Sequence, residues 1–404
     1  MASGGCDRAG KLPHPLCRVA ADPMMPAAAD IARPGGTATK IAIYLPDLSG
    51  GGAERLHVQL VSVFRDHGLA PRFLLDRRAG VLLDVVPPGC PVDSLDASRQ
   101  ISALPRLIRY LRTHRPDVLI ANMEHMNVMA VLARRLACVP TRIIVTQHNA
   151  FSEQVKRPSW KWRMLPALYR AIVPRADAIV AVSAGVADDL AQQAGLDRNN
   201  IRVIHNGVVN DDFDVRAGEE PDHPWFAEGA PVIVGMGRMV AQKDFATLIR
   251  AFAMIAPAGN ARLILLGDGP QREELTALIG TLGIDDRVSL PGFVANPLPW
   301  LRRASLFVLS SRFEGFGNVL AEALACGTPV VSTDCPYGPS EILDGGRFGA
   351  LVPVGDVEAM AGGIAAALGE RPDRKRLRER GLSFSIRRCA SDYEDVVRGL
   401  VSTS

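Results

Sequence analysis

Two carboxylates, Glu314 and Glu322, stand eight positions apart in SRFEGFGNVLAEALACG (311–327), with the turn glycines Gly315 and Gly317 between them. Glycine lets a ligand approach the backbone closely, and the free amides at a helix start bind anions such as phosphate. A carboxylate beside a diphosphate is repelled unless it holds something else. Asn318 is a favourable helix-cap residue, and Glu322, one helical turn beyond it and on the same face, can accept hydrogen bonds from vicinal hydroxyls such as those of a ribose. Glu314, in the turn, would reach a second polyol. An anion seat flanked by two hydroxyl-accepting acids fits a sugar nucleotide. The spacing suits a solvated helix acid and an ordinary turn acid equally well.

Countercharge is available in VGMGRMVAQKDFATLIRAF (234–252), which places Arg238 just past a strand and Lys243 at a helix start. A fork-shaped guanidinium and a compact ammonium can neutralise a diphosphate and stabilise it as a leaving group. Such a pair alone is a common surface feature. At a strand's carboxyl end, in the same half of the chain as the acids, it favours the functional reading.

These residues need elements to hold them, and the chain alternates strand and helix patterns from Lys40 onward. KIAIYLP, DVLIA (117–121), RIIVTQ (142–147), AIVAVS (178–183) and IRVIHNG (201–207) read as short buried strands. Helical spacing runs through AERLHVQLVSVFRDHG, 126–137 and 184–194. Between 207 and 229 the periodicity disappears into an acidic, proline-containing segment read as a linker. Alternation restarts with PVIVGMG, helix 243–255, ARLILLG, helix 271–282, RVSL, LFVLS, the helix of the acid pair, PVVST and helix 356–368. The expected fold class is α/β, with two Rossmann-like, doubly wound domains facing across a cleft. The boundaries read as a disordered leader (1–38), a first domain (39–206), the linker (207–229), a second domain (230–382) and a terminal helix (383–404) packing back on the first domain.

The 404 residues suffice for two domains, and 48% apolar with 22% charged residues describes a globular chain. A net charge of +3 is too small to make nucleic acid a partner. Seven scattered cysteines without CxxC spacing argue against a disulfide framework or structural zinc, and for a reducing, cytoplasmic compartment. The Ala/Pro/Gly-rich leader has no apolar run long enough for a signal peptide or membrane span, and its Met24 and Met25 allow a later start.

Taken together, the motifs resemble the retaining glycosyltransferases of family 4, which have the GT-B fold. Glu314 and Glu322 match that family's E-x7-E signature, and Arg238 with Lys243 its donor-phosphate pair. LILLGDGPQREEL, VSLPGFV and GTPVVSTDCPYGPSEIL match the flanking blocks, and SGGGAERL the amino-terminal glycine loop. The resemblance implies transfer of a sugar from a nucleotide donor, with a UDP-sugar favoured, to a glycan or lipid-linked acceptor of cell-surface polysaccharide synthesis. It implies that Arg238 and Lys243 bind the diphosphate. Glu314 with Gly315, Phe316, Gly317 and Asn318 would position donor sugar and phosphate, Glu322 would hold the ribose, and Gly51 and Gly52 would close over the diphosphate. Val294 would hold the base. No cofactor and no metal are expected. Two other readings are a non-hydrolysing UDP-sugar 2-epimerase and a catalytically silent sugar-nucleotide-binding module.

One departure concerns the acceptor side. Many relatives carry a histidine in the loop after the strand equivalent to DVLIA, whereas this loop reads ANMEHMN, with Asn122 near that position and His125 three residues later. His148, in TQHN, is a second candidate, although a lone histidine is more often structural. A retaining front-face mechanism lets the leaving phosphate take the acceptor's proton, so a missing base would not exclude catalysis.

Asp212-Phe213-Asp214 spells a metal-binding DxD but falls in the linker, so coincidence is the better reading. GDG (267–269) lacks the third glycine of a dinucleotide fingerprint, and SGGGAER the Lys-Ser/Thr ending of a P-loop. The stretch 156–175 carries Lys156, Arg157, Lys161, Arg163, Arg170 and Arg175 with Trp160 and Trp162 and no acid, which suits an anionic membrane surface. It also suits an amphipathic helix with a solvated face. Arg106, Arg109, Arg112 and Arg115 would extend this basic surface, and peripheral contact with the inner face of the membrane is the expectation.

Overall fold

In the computed structural model, residues 38–97, 100–156 and 160–402 are described. The expected leader, apart from Ala38, lies outside them. Two all-parallel sheets form the frame. The first has seven strands: β1 (Lys40–Leu45), β2 (Ala70–Leu75), β3 (Val92–Ser94), β4 (Val118–Asn122), β5 (Arg142–Gln147), β6 (Ala178–Ala181) and β7 (Ile201–Val203). The second has six: β8 (Val232–Met236), β9 (Arg262–Leu266), β10 (Val288–Gly292), β11 (Leu306–Leu309), β12 (Val330–Thr333) and β13 (Ala350–Val352).

The strand orders are β3-β2-β1-β4-β5-β6-β7 and β10-β9-β8-β11-β12-β13. Helices cover both faces of each sheet, so the central strands are buried on both sides and read as continuous apolar runs such as IAIYL. In each sheet the order reverses once, between β1 and β4 and between β8 and β11. Loops leaving adjacent strands at such a point splay to opposite faces and leave a crevice at the carboxyl ends. Gly51 and Asn122 stand at the first crevice, Arg238 and Glu314 at the second.

The linker is more ordered than its composition suggests. It contains a short helix, Phe213–Ala217, whose Phe213 and Ala217 are buried. Its start runs beside a second crossing between the domains: Val208 N donates to Phe384 O (2.8 Å) and Ile386 N to Val209 O (2.8 Å). Beyond that crossing the terminal helix Ile386–Val401 joins the core of the first domain. Its Ile386, Cys389, Tyr393, Val396 and Val397 pack with the buried residues of the helix Gly52–Asp66.

Several local expectations are corrected. Lys243 precedes its helix, which begins at Phe245 after Asp244 in the left-handed region (φ 45°). Asn318 is the first residue of its helix and provides no cap; Gly317, at φ 99°, occupies the cap position. Arg106 and Arg112 bind the carbonyls of Leu95, Asp96, Leu136 and Ala137, so they hold the first domain together besides adding charge to its surface. Among the described residues no helix is long and apolar enough to cross a membrane.

Candidate functional site

The turn that carries Glu314 begins where β11 ends. Glu314 is almost fully buried, and its Oε1 accepts from Ser311 Oγ (2.6 Å) and from Lys243 Nζ (2.5 Å). The two loops are stitched further: Arg312 N donates to Gln242 O (2.8 Å), Gln242 Nε2 to Phe313 O (3.0 Å), and Ser310 Oγ to Lys243 O (2.7 Å). An ammonium five residues past Arg238 and a carboxylate after β11 therefore meet because β8 and β11 are neighbours. In this state the two groups neutralise each other.

The first domain is pressed against that turn. A Cβ on Gly315 would fall 1.9 Å from His148 O, so only glycine permits this contact. Ser183 Oγ donates to Gly315 O (2.8 Å), and Asn206 Nδ2 to Asn318 Oδ1 (2.9 Å). Glu341 of the second domain accepts from Ala184 N (2.8 Å) and pairs with His205. Phe316 is buried and stacks on the His205 ring, so its contribution to the cleft is its backbone.

Between the halves lies a cavity of about 480 Å³. Its walls include Gly50, Gly52 and Arg55 of the first domain, Arg216 of the linker, and Arg238, Val294, Asn318 and Glu322 of the second. A Cβ on Gly52 would lie 3.5 Å from Asn318 Nδ2, which puts the glycine loop directly over the helix start. Arg238 is exposed to the cavity; its charge acts on the nearby Glu54, but its guanidinium makes no hydrogen bond among the described residues. Glu322 shares the wall with it. Its Oε2 is buried without a hydrogen-bond partner, and burial pushes the carboxyl up to about 7 against the opposing pull of Arg216 and Arg55. A buried acid without donors is costly unless a ligand supplies them, and the exposed guanidinium on the same wall is available to an anion.

Of the residues singled out from sequence, Gly52, Arg238, Val294, Asn318 and Glu322 meet in this cavity. Gly51 caps the adjoining helix. Glu314, Lys243 and Gly315 stand in the neighbouring turns, outside the lining residues, as does His148, whose carbonyl packs on Gly315. His148 reaches Asn122, its Nε2 lying 2.8 Å from Asn122 Oδ1. His125, on the helix Glu124–Ala137, is held low, at about 4, by burial, and is not among the cavity's lining residues. Arg55 and Arg216 are wall residues that sequence reasoning missed; the ER of the glycine-loop motif GGAER was the available signal for Arg55. The DxD pair is used structurally, with Asp214 binding Arg378 through both oxygens (2.7 Å each). Among the described residues no three His, Cys, Asp or Glu side chains gather as a metal site.

Comparison with known proteins gives this geometry its family. Residues 50–212 match the model for Glycosyltransferase Family 4, and residues 230–370 that for Glycosyl transferases group 1. The lipopolysaccharide core biosynthesis glycosyltransferase LpsE of Rhizobium meliloti is 30% identical over 342 residues, covering 82% of this chain and 89% of that protein. The chain belongs to the family 4 glycosyltransferases. A second relative of this transferase, 28% identical over 347 residues (83% of this chain, 92% of the other), is an N-acetylgalactosaminyltransferase of Campylobacter jejuni. Its name places its acceptor on diphospho-undecaprenol. The crystal structure of Anabaena HepE with UDP and glucose superposes with a TM-score of 0.74 at 20% identity, covering 88% of this chain and 98% of that one. The two-sheet arrangement of the transferase is accordingly GT-B. Family membership places it with transferases rather than with the epimerases.

Proposed function

We propose that this transferase moves a sugar, with retention of anomeric configuration, from a UDP-sugar to a glycan or lipid-linked acceptor in the building of lipopolysaccharide or a related cell-surface polysaccharide. The observation that carries the proposal is the cavity in which Glu322, its Oε2 buried without a hydrogen-bond partner, and the exposed Arg238 guanidinium share one wall under the glycine loop. Ribose hydroxyls would satisfy Glu322, and the diphosphate would take Arg238 together with the amides opening the helix Asn318–Ala325. Donor phosphate drawing Lys243 towards itself would loosen its pair with Glu314, freeing that carboxylate for the sugar. Departing UDP is then stabilised by two cations, and no metal is needed. Val294 and the exposed Phe293 line the end of the cavity suited to the base. UDP is favoured by HepE, crystallised with UDP, and a lipid-linked acceptor by the Campylobacter relative.

The membrane reading belongs to the same proposal. On the helix Trp160–Ile172, Leu165 and Tyr169 are buried while Met164 (51% exposed) and Leu168 (40%) face outward beside the exposed Arg163 and Arg170. An apolar strip flanked by arginines suits an anionic bilayer surface. Arg157 and the side chains of Trp160 and Lys161 lie outside the described residues.

The test is nucleotide release from a panel of UDP-, GDP- and ADP-sugars with glycan and lipid-linked acceptors, with EDTA present and the product anomer read by NMR. Acceptor-dependent UDP release by wild type, and background release by Lys243→Ala, is the expected result. Equal background from both would leave a silent binding module, and an inverted product would overturn retention.

A further inference from the structure

The amide of Asn122 is fully buried at the last position of β4. Its Nδ2 faces two backbone carbonyls, Tyr44 O (3.3 Å) and Ile120 O (3.4 Å), which can only accept. That leaves Oδ1 turned to His148 Nε2 at 2.8 Å. An amide oxygen cannot donate, so Nε2 must carry the proton and Nδ1 the lone pair. Nδ1 makes no hydrogen bond among the described residues, and His148 as a whole is half-buried. The neighbourhood keeps the ring neutral: burial and the adjacent His57 hold His148 down at about 3.

The backbone supports this arrangement at a cost. Met123, directly after Asn122, has φ 83° and ψ 146°, a region nearly reserved for glycine. A non-glycine residue there costs on the order of 1–3 kcal/mol and persists only where the surroundings over-determine it. The kink turns the chain out of β4 immediately after Asn122, leaving the amide pinned between β1 and the His148 loop. The carbonyl of that same His148 is the atom packed on Gly315, next to Glu314.

We propose that Asn122 is a positioning residue that holds His148 in the Nε2-protonated form, so that Nδ1 presents its lone pair to a hydroxyl of a substrate in the cleft. The inference rests on the transfer reading above only for the identity of that hydroxyl. The tautomer itself is a property of the free protein.

Two readouts keep these apart. Nitrogen-15 NMR of histidine-labelled protein without donor, with the His148 signals assigned by their loss in His148→Gln, should show a proton on Nε2 in wild type. Asn122→Leu, close in volume but unable to accept, should give the other tautomer or an average. In turnover, Asn122→Leu should lower kcat on the order of tenfold or more, the scale on which outer partners of a working histidine act, at unchanged donor KM. A wild-type ring protonated at Nδ1, or an Asn122→Leu spectrum identical to wild type, overturns the proposal. A changed tautomer with unchanged kcat overturns its functional half. Failure of wild type to turn over any sugar nucleotide bears on the transfer reading and leaves the tautomer result intact.

Discussion

Lys243 Nζ sits 2.5 Å from Glu314 Oε1, so the cation assigned to the leaving phosphate and the acid assigned to the sugar are paired before any substrate arrives. Both side chains are largely buried, at 17% and 8% exposure. Removing one partner of such a pair strands the other charge, while removing both need not cost much.

Lys243→Ala should therefore destabilise the protein by about 3 kcal/mol and lower kcat on the order of 10²-fold or more. The double variant Lys243→Ala with Glu314→Gln should regain most of the stability in urea titration yet remain inactive. Recovery of activity along with stability would mean that the pair is structural only.

Glu322 predicts a pH dependence of stability. Its folded-state value, about 7, lies above the ordinary 4.5, so the folded protein holds a proton there that the unfolded chain has lost. The contribution is complete below pH 4.5 and disappears as the pH rises through about 7. Glu322→Gln avoids that loss. It should match wild type in acid, gain over it across that window, and be more stable above it by up to about 3 kcal/mol. Thermal melts across pH check this.

Nucleotide binding should depend on pH in the opposite sense. Ribose hydroxyls donate to the ionised carboxylate, so UDP should bind more tightly as pH rises through about 7. Below that value, binding should release a proton, seen as a buffer-dependent heat in calorimetry. Glu322→Gln should bind UDP weakly at every pH and release none.

Gly315→Ala places a methyl 1.9 Å from His148 O. Relief requires the domains to part, because both atoms belong to tightly held turns. A stability cost of about 1–3 kcal/mol and a kcat loss on the order of 10²-fold are expected. Small-angle scattering should show a wider cleft.

The terminal helix should prove integral to the first domain. Val397 is fully buried against the helix Gly52–Asp66. Val397→Asp strands a charge there and should cost on the order of 3 kcal/mol or more in chemical denaturation.

Much of the frame was legible because its signals are local. Apolar runs of four to six residues alternating with helical spacing led to the parallel sheets found here. Glu314 and Arg238 stood out because each follows a strand, and Lys243 and Glu322 because each lies near a helix start, all within recognisable blocks. The errors were local as well. Asn318 belongs to a residue type that caps helices, yet its side chain reaches Asn206 of the other domain. The linker looked irregular because Phe213 and Ala217 are buried by tertiary contacts rather than by any period of their own.

By itself, then, the order of residues determined the strand and helix alternation, the two-domain division and the identity of the acids and cations at the strand ends, since these follow from near-neighbour periodicity and turn chemistry. Tertiary structure decided which of them touch. The contact between Asn122 and His148 spans 26 positions, and that between Lys243 and Glu314 spans 71. Arg55, Arg216 and Arg238 come to one cavity from the first domain, the linker and the second domain. No local pattern encodes such meetings; they exist because parallel strands place distant loops side by side at the same end of a sheet, and two crossings of the chain bring the two ends face to face.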